Sequence, residues 1–305
     1  MCRLPISVLE HNIVGEFEDV LLKNKRDLKS PVRDGRLHAE IDLILDKIRP
    51  RSPNANMMTR KISLYESHLA FIWSYIYSSF VIYEVGVQQK MVDDTFSGEI
   101  KWDDKLIRRA KRLQDWAILF STQYAKWDDI SLPNPKTTPD KNERSYVLNA
   151  NGIYLRAVIY LLLHEYAHLV QRHDKNDDKA WQLDQEKEAD NFAMSFLVDD
   201  SSTEIERKVA GVSVVLLHTS LFFLPGNLRG IWQQTHPHLH DRLRNCIIGL
   251  NLETEESKFY IYYLAATSLQ MYLESQGVDC PQIECETAED LFYDYLERID
   301  ELRTS

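Results

Sequence analysis

The stretch "YLLLHEYAHLVQRH", residues 160–173, sets two histidines four positions apart with a glutamate beside the first. Everything else turns on whether it is a metal-binding catalytic helix or a buried helix that contains histidines. Four residues on an α-helix advance about 400°, so His164 and His168 share a face, one turn apart. Two neutral imidazoles at that spacing can converge on one zinc ion, Zn2+. Glu165, about 100° round the helix, reaches a metal-held water without being a ligand. The preceding run, 157–163, is uncharged and mostly apolar. The helix is therefore expected to be buried, where histidines and a glutamate are costly unless paired or metal-bound. Ala167 between the histidines leaves room for a second helix to approach.

Such a site needs a third protein ligand. His173 lies about 180° round the helix from His164, and the glycine of the extended HExxHxxGxxH pattern is absent. It is assigned instead to the C-terminal end of the helix, where a cation favours the dipole. The segment "QEKEADNFA" offers a better candidate. Glu186 and Asp190 are four apart and share a face with Ala189 and Ala193. Glu186 is a potential third ligand. Asp190 is placed to accept the other N–H of His164, as carboxylates behind metal-bound histidines do. Glu188 competes as a ligand but points about 200° away from Glu186.

Composition sets the frame. The chain has 305 residues, 44% hydrophobic and 27% charged, which fits a globular protein and not a disordered one. A net charge of −11 argues against broad electrostatic binding to nucleic acid or anionic membrane. The amino terminus has no basic segment followed by an apolar run, and the four cysteines form no CxxC pair. Reduced thiols, including free Cys280 and Cys285, and a cytoplasmic location are expected. The apolar stretches 69–83 and 209–225 fall short of the roughly 20 apolar residues a spanning helix needs. They are read as buried helices, with no integral membrane segment and peripheral association left open.

The expected fold is mainly α. Residues 1–50 read as helical, with "EIDLILDKIR" the clearest amphipathic segment. A long helix is expected over 62–89 and another after "FSGEIKW". The proline-rich "SLPNPKTTPDKNE" marks a boundary. In "RSYVLNANGIYLR" the apolar triplets flanking "NANG" predict a small hairpin or edge strand over 146–155. The motif helix is expected over 155–173, followed by helices near 179–197, 209–224, 255–276 and 287–303, the last capped by Thr287 with Asp290. Three regions follow: a helical recognition region over 1–135, a catalytic core over 136–250, and C-terminal helices over 251–305 packed on the core.

"HEYAH" with "EKEAD" resembles the gluzincin metallopeptidases, which carry HExxH on one helix and a glutamate ligand followed four residues on by an aspartate. The resemblance implies a zincin-like core with Glu186 as third ligand and Asp190 behind it. Downstream, "THPHLHDRLRN" is similar to the His-Pro…Arg element of the HtpX and CAAX-prenyl endopeptidases. That likeness implies that His236, before Pro237, steadies the oxyanion and that Arg242 holds the site together. His238 replaces the usual second proline, and His238 and His240 are read as surface residues. Length and layout resemble the Lit family of phage-exclusion peptidases, chiefly over 145–250. That resemblance implies cleavage of elongation factor Tu in the presence of an activating phage peptide. The expectation is a zinc endopeptidase acting on a specific protein. The alternatives are a non-catalytic sensor on a gluzincin scaffold and a metal-free helical interaction protein.

Overall fold

The computed structural model describes residues 3–24, 29–37, 41–46, 49–136, 138, 140–173, 179–199, 202–224, 238–280 and 285–304. Helices α3 (Glu66–Tyr83), α6 (Lys141–Gln171) and α8 (Glu204–Phe222) pack against one another and form the centre. Every residue of α3 is buried, from Glu66 to Tyr83. An apolar, aromatic helix with no polar face has to be enclosed on all sides. Helix α5 (Lys105–Thr122) covers α3, and α7 (Lys179–Leu197) lies along α6. Helices α9 (Leu239–Gly249) and α10 (Glu255–Ser275) flank α8, and α11 (Ala288–Thr304) closes the outside of α10. At the amino-terminal end a 3-10 turn (Pro5–Leu9) leads into α1 (Glu10–Lys23), which rests on α6, and then α2 (Lys29–Arg33). One apolar cluster draws residues from all three stretches of the chain, for example Phe17, Tyr160 and Phe292.

Several elements differ from the sequence reading. The stretch expected as an amphipathic helix near residue 40 forms β1 (Asp42–Ile44) instead. It joins β2 (Asn54–Asn56) and β3 (Lys61–Tyr65) in a sheet of order β1-β3-β2, with β1 parallel and β2 antiparallel to β3. The helix expected from residue 62 starts at Glu66, because Ile62 and Leu64 are buried at strand spacing while their neighbours are not. Helix α3 then widens into a π-helical turn over Glu84–Gln88 before α4 (Gln89–Val92).

The largest correction concerns 146–155, which is helix and not hairpin. Helix α6 begins at Lys141, capped by the Asp140 carboxylate on the N–H groups of Asn142 and Glu143. Its 31 residues make a rod about 46 Å long. Asparagine favours turns when its side chain bonds to its own local backbone. Here Asn151 accepts from Trp73 Nε1 at 2.7 Å and donates to the carbonyl of Pro135 at 3.0 Å. With the amide engaged elsewhere, the helical spacing of Val147, Ala150, Tyr154 and Ala157, all buried, decides the structure.

The C-terminal helices fall where expected, and the Thr287–Asp290 cap is reciprocal, with both backbone N–H bonds at 3.1 Å. Cys246, Cys280 and Cys285 are free thiols. His240 is buried and not a surface residue, with Nε2 3.3 Å from Asp300. By length and composition, 66–92 and 141–171 could cross a bilayer. Within their most apolar windows 94% and 61% of residues are buried inside the protein, and 209–222 of the shorter apolar stretch lie in the largely buried helix α8.

Candidate metal centre on helix α6

The long rod of α6 carries the motif in its second half, against α7. His164 Nε2 and His168 Nε2 lie 3.2 Å apart. Glu186 on α7 places Oε2 3.3 Å from His164 Nε2 and Oε1 3.5 Å from His168 Nε2. Ala189 and Ala193, both fully buried, let the two helices come this close. One ligand atom from each of His164, His168 and Glu186 falls within 4.8 Å of the other two.

The hydrogen bonds behind the histidines fix what those atoms offer. The His164 Nδ1–H donates to Asp190 Oδ1 at 2.9 Å. His173 Nε2 lies 3.1 Å from the Glu188 carboxylate, which only accepts, so this nitrogen carries the proton. His173 Nδ1 then accepts from His168 Nδ1–H at 2.9 Å. In neutral rings both Nε2 atoms are left as lone pairs turned toward the Glu186 carboxylate. Three electron-pair donors facing one point repel each other unless a cation sits between them. The pocket also favours positive charge at His164. Against the cost of burial, hydrogen bonds to Asp190 and Glu186 raise its pKa to about 9, so that in the absence of a metal a proton on Nε2 is the cation between His164 and Glu186. Two imidazoles and a carboxylate fit a zinc site with one open position.

Asp190 is held from three directions. Arg242 on α9 clamps it through Nε to Oδ2 at 2.8 Å and Nη2 to Oδ1 at 2.6 Å. Tyr160 Oη donates to Oδ1 at 2.8 Å. Burial opposes the charge, but the Arg242 guanidinium and the His164 hydrogen bond hold the carboxyl well below its usual range. Behind Tyr160, Cys246 Sγ lies 3.5 Å from the hydroxyl and 3.8 Å from His218 Nε2. Burial keeps that thiol protonated, with its pKa raised to about 12.

Glu165 lies within electrostatic reach of both His164 and Glu186. Burial raises its pKa, opposed first by the nearby His164 charge and then by a hydrogen bond from the backbone N–H of Ala55 on β2. Among the described residues strand β2 pairs with β3 alone and ends the sheet, and Ala55 stands opposite Ile62.

The structure thus brings together His164, Glu165, His168, Glu186, Asp190 and Arg242. His236 and Pro237 lie outside the described residues, and the half-buried His238 leads into α9. His173 departs from its expected place. Helix α6 stops at Gln171, Arg172 adopts the left-handed conformation at φ 57°, and His173 folds back beneath His168. It is buried, and desolvation lowers its pKa, so it is no cation on the helix dipole. Tyr160 was legible in principle, since it stands four residues before His164 on the same face. His173 was not, because its role depends on a reversal of the chain that helical angles do not describe.

The sequence model of the peptidase U49 family matches residues 62–265, well over half of the chain. The match runs from β3 into α10 and includes every residue of the centre except Ala55 on β2. The cell death peptidase of Escherichia coli (strain K12) is 24% identical over 288 residues, 91% of each chain. No solved structure matches. With the family match running through the whole ligand trio and its clamp, the chain belongs to the peptidase U49 family.

Proposed function

We propose that the protein is a zinc-dependent endopeptidase with a specific protein substrate, in which His164, His168 and Glu186 hold the metal. The observation that carries this reading is the convergence of three lone-pair donors in a member of a peptidase family. Bound zinc would supply a Lewis acid and lower the pKa of a held water to roughly 7. The protein's own groups account for the rest. Glu165, its pKa raised by burial, takes the proton of the attacking water and passes it to the leaving amine. Asp190, clamped by Arg242 and Tyr160, keeps the His164 ring in one tautomer and orientation. His173 does the same for His168. Strand β2, at the edge of the sheet, is the strand on which an extended substrate pairs. His236 is the donor to the developing oxyanion that the His-Pro…Arg resemblance implies.

The relative's description as a cell death peptidase supports a narrow intracellular target. Together with the Lit-like layout, it supports cleavage of a translation factor such as elongation factor Tu in an abortive response to phage, triggered by an activating peptide. The test compares new protein termini in cells expressing wild type and Glu165→Gln, with and without phage infection. One site cut in one protein by wild type alone, with equal zinc in both proteins, is the expected result. Equal zinc with no new termini in any sample would instead favour the sensor reading, and no zinc in either would remove the metal.

A further inference from the structure

A groove of about 770 Å³ lies between the 87–102 segment, α10 and α11, and no residue of the metal centre lines it. Its wall is aromatic: Trp102, Phe259, Tyr262 and Tyr263 all face it. Phe259 and Tyr263 stack with centroids 5.4 Å apart. Trp102 and Phe259 remain 44% and 42% exposed, although both lie beside a core that buries larger aromatic surface.

The rim is acidic. Glu99, Glu255, Glu274, Glu286 and Glu289 line it, and among the described residues Lys258 is the one cation there. Lys258 Nζ is 2.8 Å from Glu255 and compensates that carboxylate, which leaves four. Local structure explains part of this charge. Glu289 sits in the first turn of α11, where a carboxylate suits the helix dipole, and the Tyr262 hydroxyl bonds to it. Glu274 has no such excuse. It lies in the last turn of α10, where the dipole disfavours an anion, and its partner is the neutral amide of Gln270 at 2.8 Å. Glu99 reaches the groove from the 93–104 connection, a different part of the chain from Glu274 and Glu286.

A groove with exposed aromatic faces and uncompensated carboxylates suits one kind of side chain. Lysine and arginine carry an apolar stem and a cationic head, and the head is attracted both to ring faces and to carboxylates. An anionic or purely aliphatic ligand would leave one half of the lining unanswered. We propose that this groove is a docking site for a basic segment of a partner protein, engaged away from the metal centre. Its lysine or arginine stems lie on Trp102 and Phe259, and their heads pair with Glu99, Glu274 and Glu286. The proposal does not rest on the hydrolytic reading.

The test uses full-length Glu165→Gln protein, so that cleavage plays no part. The probe is a fluorescein-labelled dodecapeptide alternating lysine and arginine with leucine, with a glutamate-for-base peptide as control. Fluorescence anisotropy should show saturable binding of the basic peptide that weakens as salt is raised, and none of the acidic one. Phe259→Ala and the pair Glu274→Gln with Glu286→Gln should each weaken binding about tenfold. All three positions are exposed, and unfolding curves are to be recorded to check that the variants fold. The pair Glu16→Gln with Glu18→Gln, on the exposed face of α1, should leave binding unchanged. Absence of binding, or equal weakening by the α1 pair, would overturn the proposal, the latter by reducing the effect to the net charge of −11.

Discussion

The hydroxyl of Tyr160 lies 2.8 Å from Oδ1 of Asp190, the same oxygen that accepts the Nδ1 proton of His164. The tyrosine therefore acts on the candidate ligand through the carboxylate. Removing the hydroxyl leaves Arg242 to hold Asp190, so the carboxylate stays charged but gains freedom to turn. Tyr160→Phe should weaken zinc binding by about tenfold, the low end for a residue behind a metal ligand. Competition with a chromogenic chelator measures it, and unchanged affinity would show that Tyr160 only fills space.

His173 and Glu188 separate two explanations of the same relay. His173→Ala strands the Nδ1 proton of His168 and frees the ring to rotate, so zinc affinity should fall about ten- to a hundredfold. Glu188→Gln keeps an oxygen acceptor for His173 Nε2–H and should cost much less. Equal losses from the two substitutions would mean that charge, not ring orientation, is what the relay supplies.

Arg242 bears on stability. Arg242→Ala leaves the Asp190 carboxylate enclosed without its guanidinium, at a cost of about 3–5 kcal/mol. Arg242→Lys keeps the charge but cannot reproduce the two-pronged contact, so its denaturant midpoint should fall between those of wild type and alanine. A lysine variant as stable as wild type would show that position of charge alone suffices.

A pH-dependent contribution sits away from the centre, where Glu204 at the start of α8 joins the connection to α10. Its carboxylate accepts from the backbone N–H of Thr254 at 3.0 Å and of Glu253 at 3.2 Å, and these bonds lower its pKa from 4.5 to about 2. A pKa depressed by folding contributes stability that is fully present above 4.5 and is lost as pH falls toward 2. The gap in denaturant midpoint between wild type and Glu204→Gln should therefore be widest near neutral pH and close through that window. A gap that stays constant with pH would show that the charged form of Glu204 is not what the fold uses.

What could be read from the sequence followed from how local the signal was. His164, His168, Glu186 and Asp190 come together because each pair shares a helix face and small alanines mark the contact between the helices. Arg242 is more than 50 residues from Asp190, and no periodicity connects them; only a resemblance placed it. At the strands, local preference and tertiary demand disagree. "NANG" favours a turn, yet Trp73 and Pro135 take up the amide of Asn151 and leave its backbone to the helix. Conversely, Ile62 and Leu64 occupy the start of an apolar run that reads as one long helix, and only their pairing with β1 and β2 shows them to be strand.

The Ala55 amide has one hydrogen and two claimants. At rest it goes to Glu165. A polypeptide laid along the outer edge of β2 would need that same hydrogen for its first rung. Taking it would strip the carboxylate of a contact that lowers its pKa, leaving burial to push it further upward. Under the proposed mechanism, arrival of the chain to be cut would itself strengthen the base that begins the cut, and an empty enzyme would idle with its base restrained.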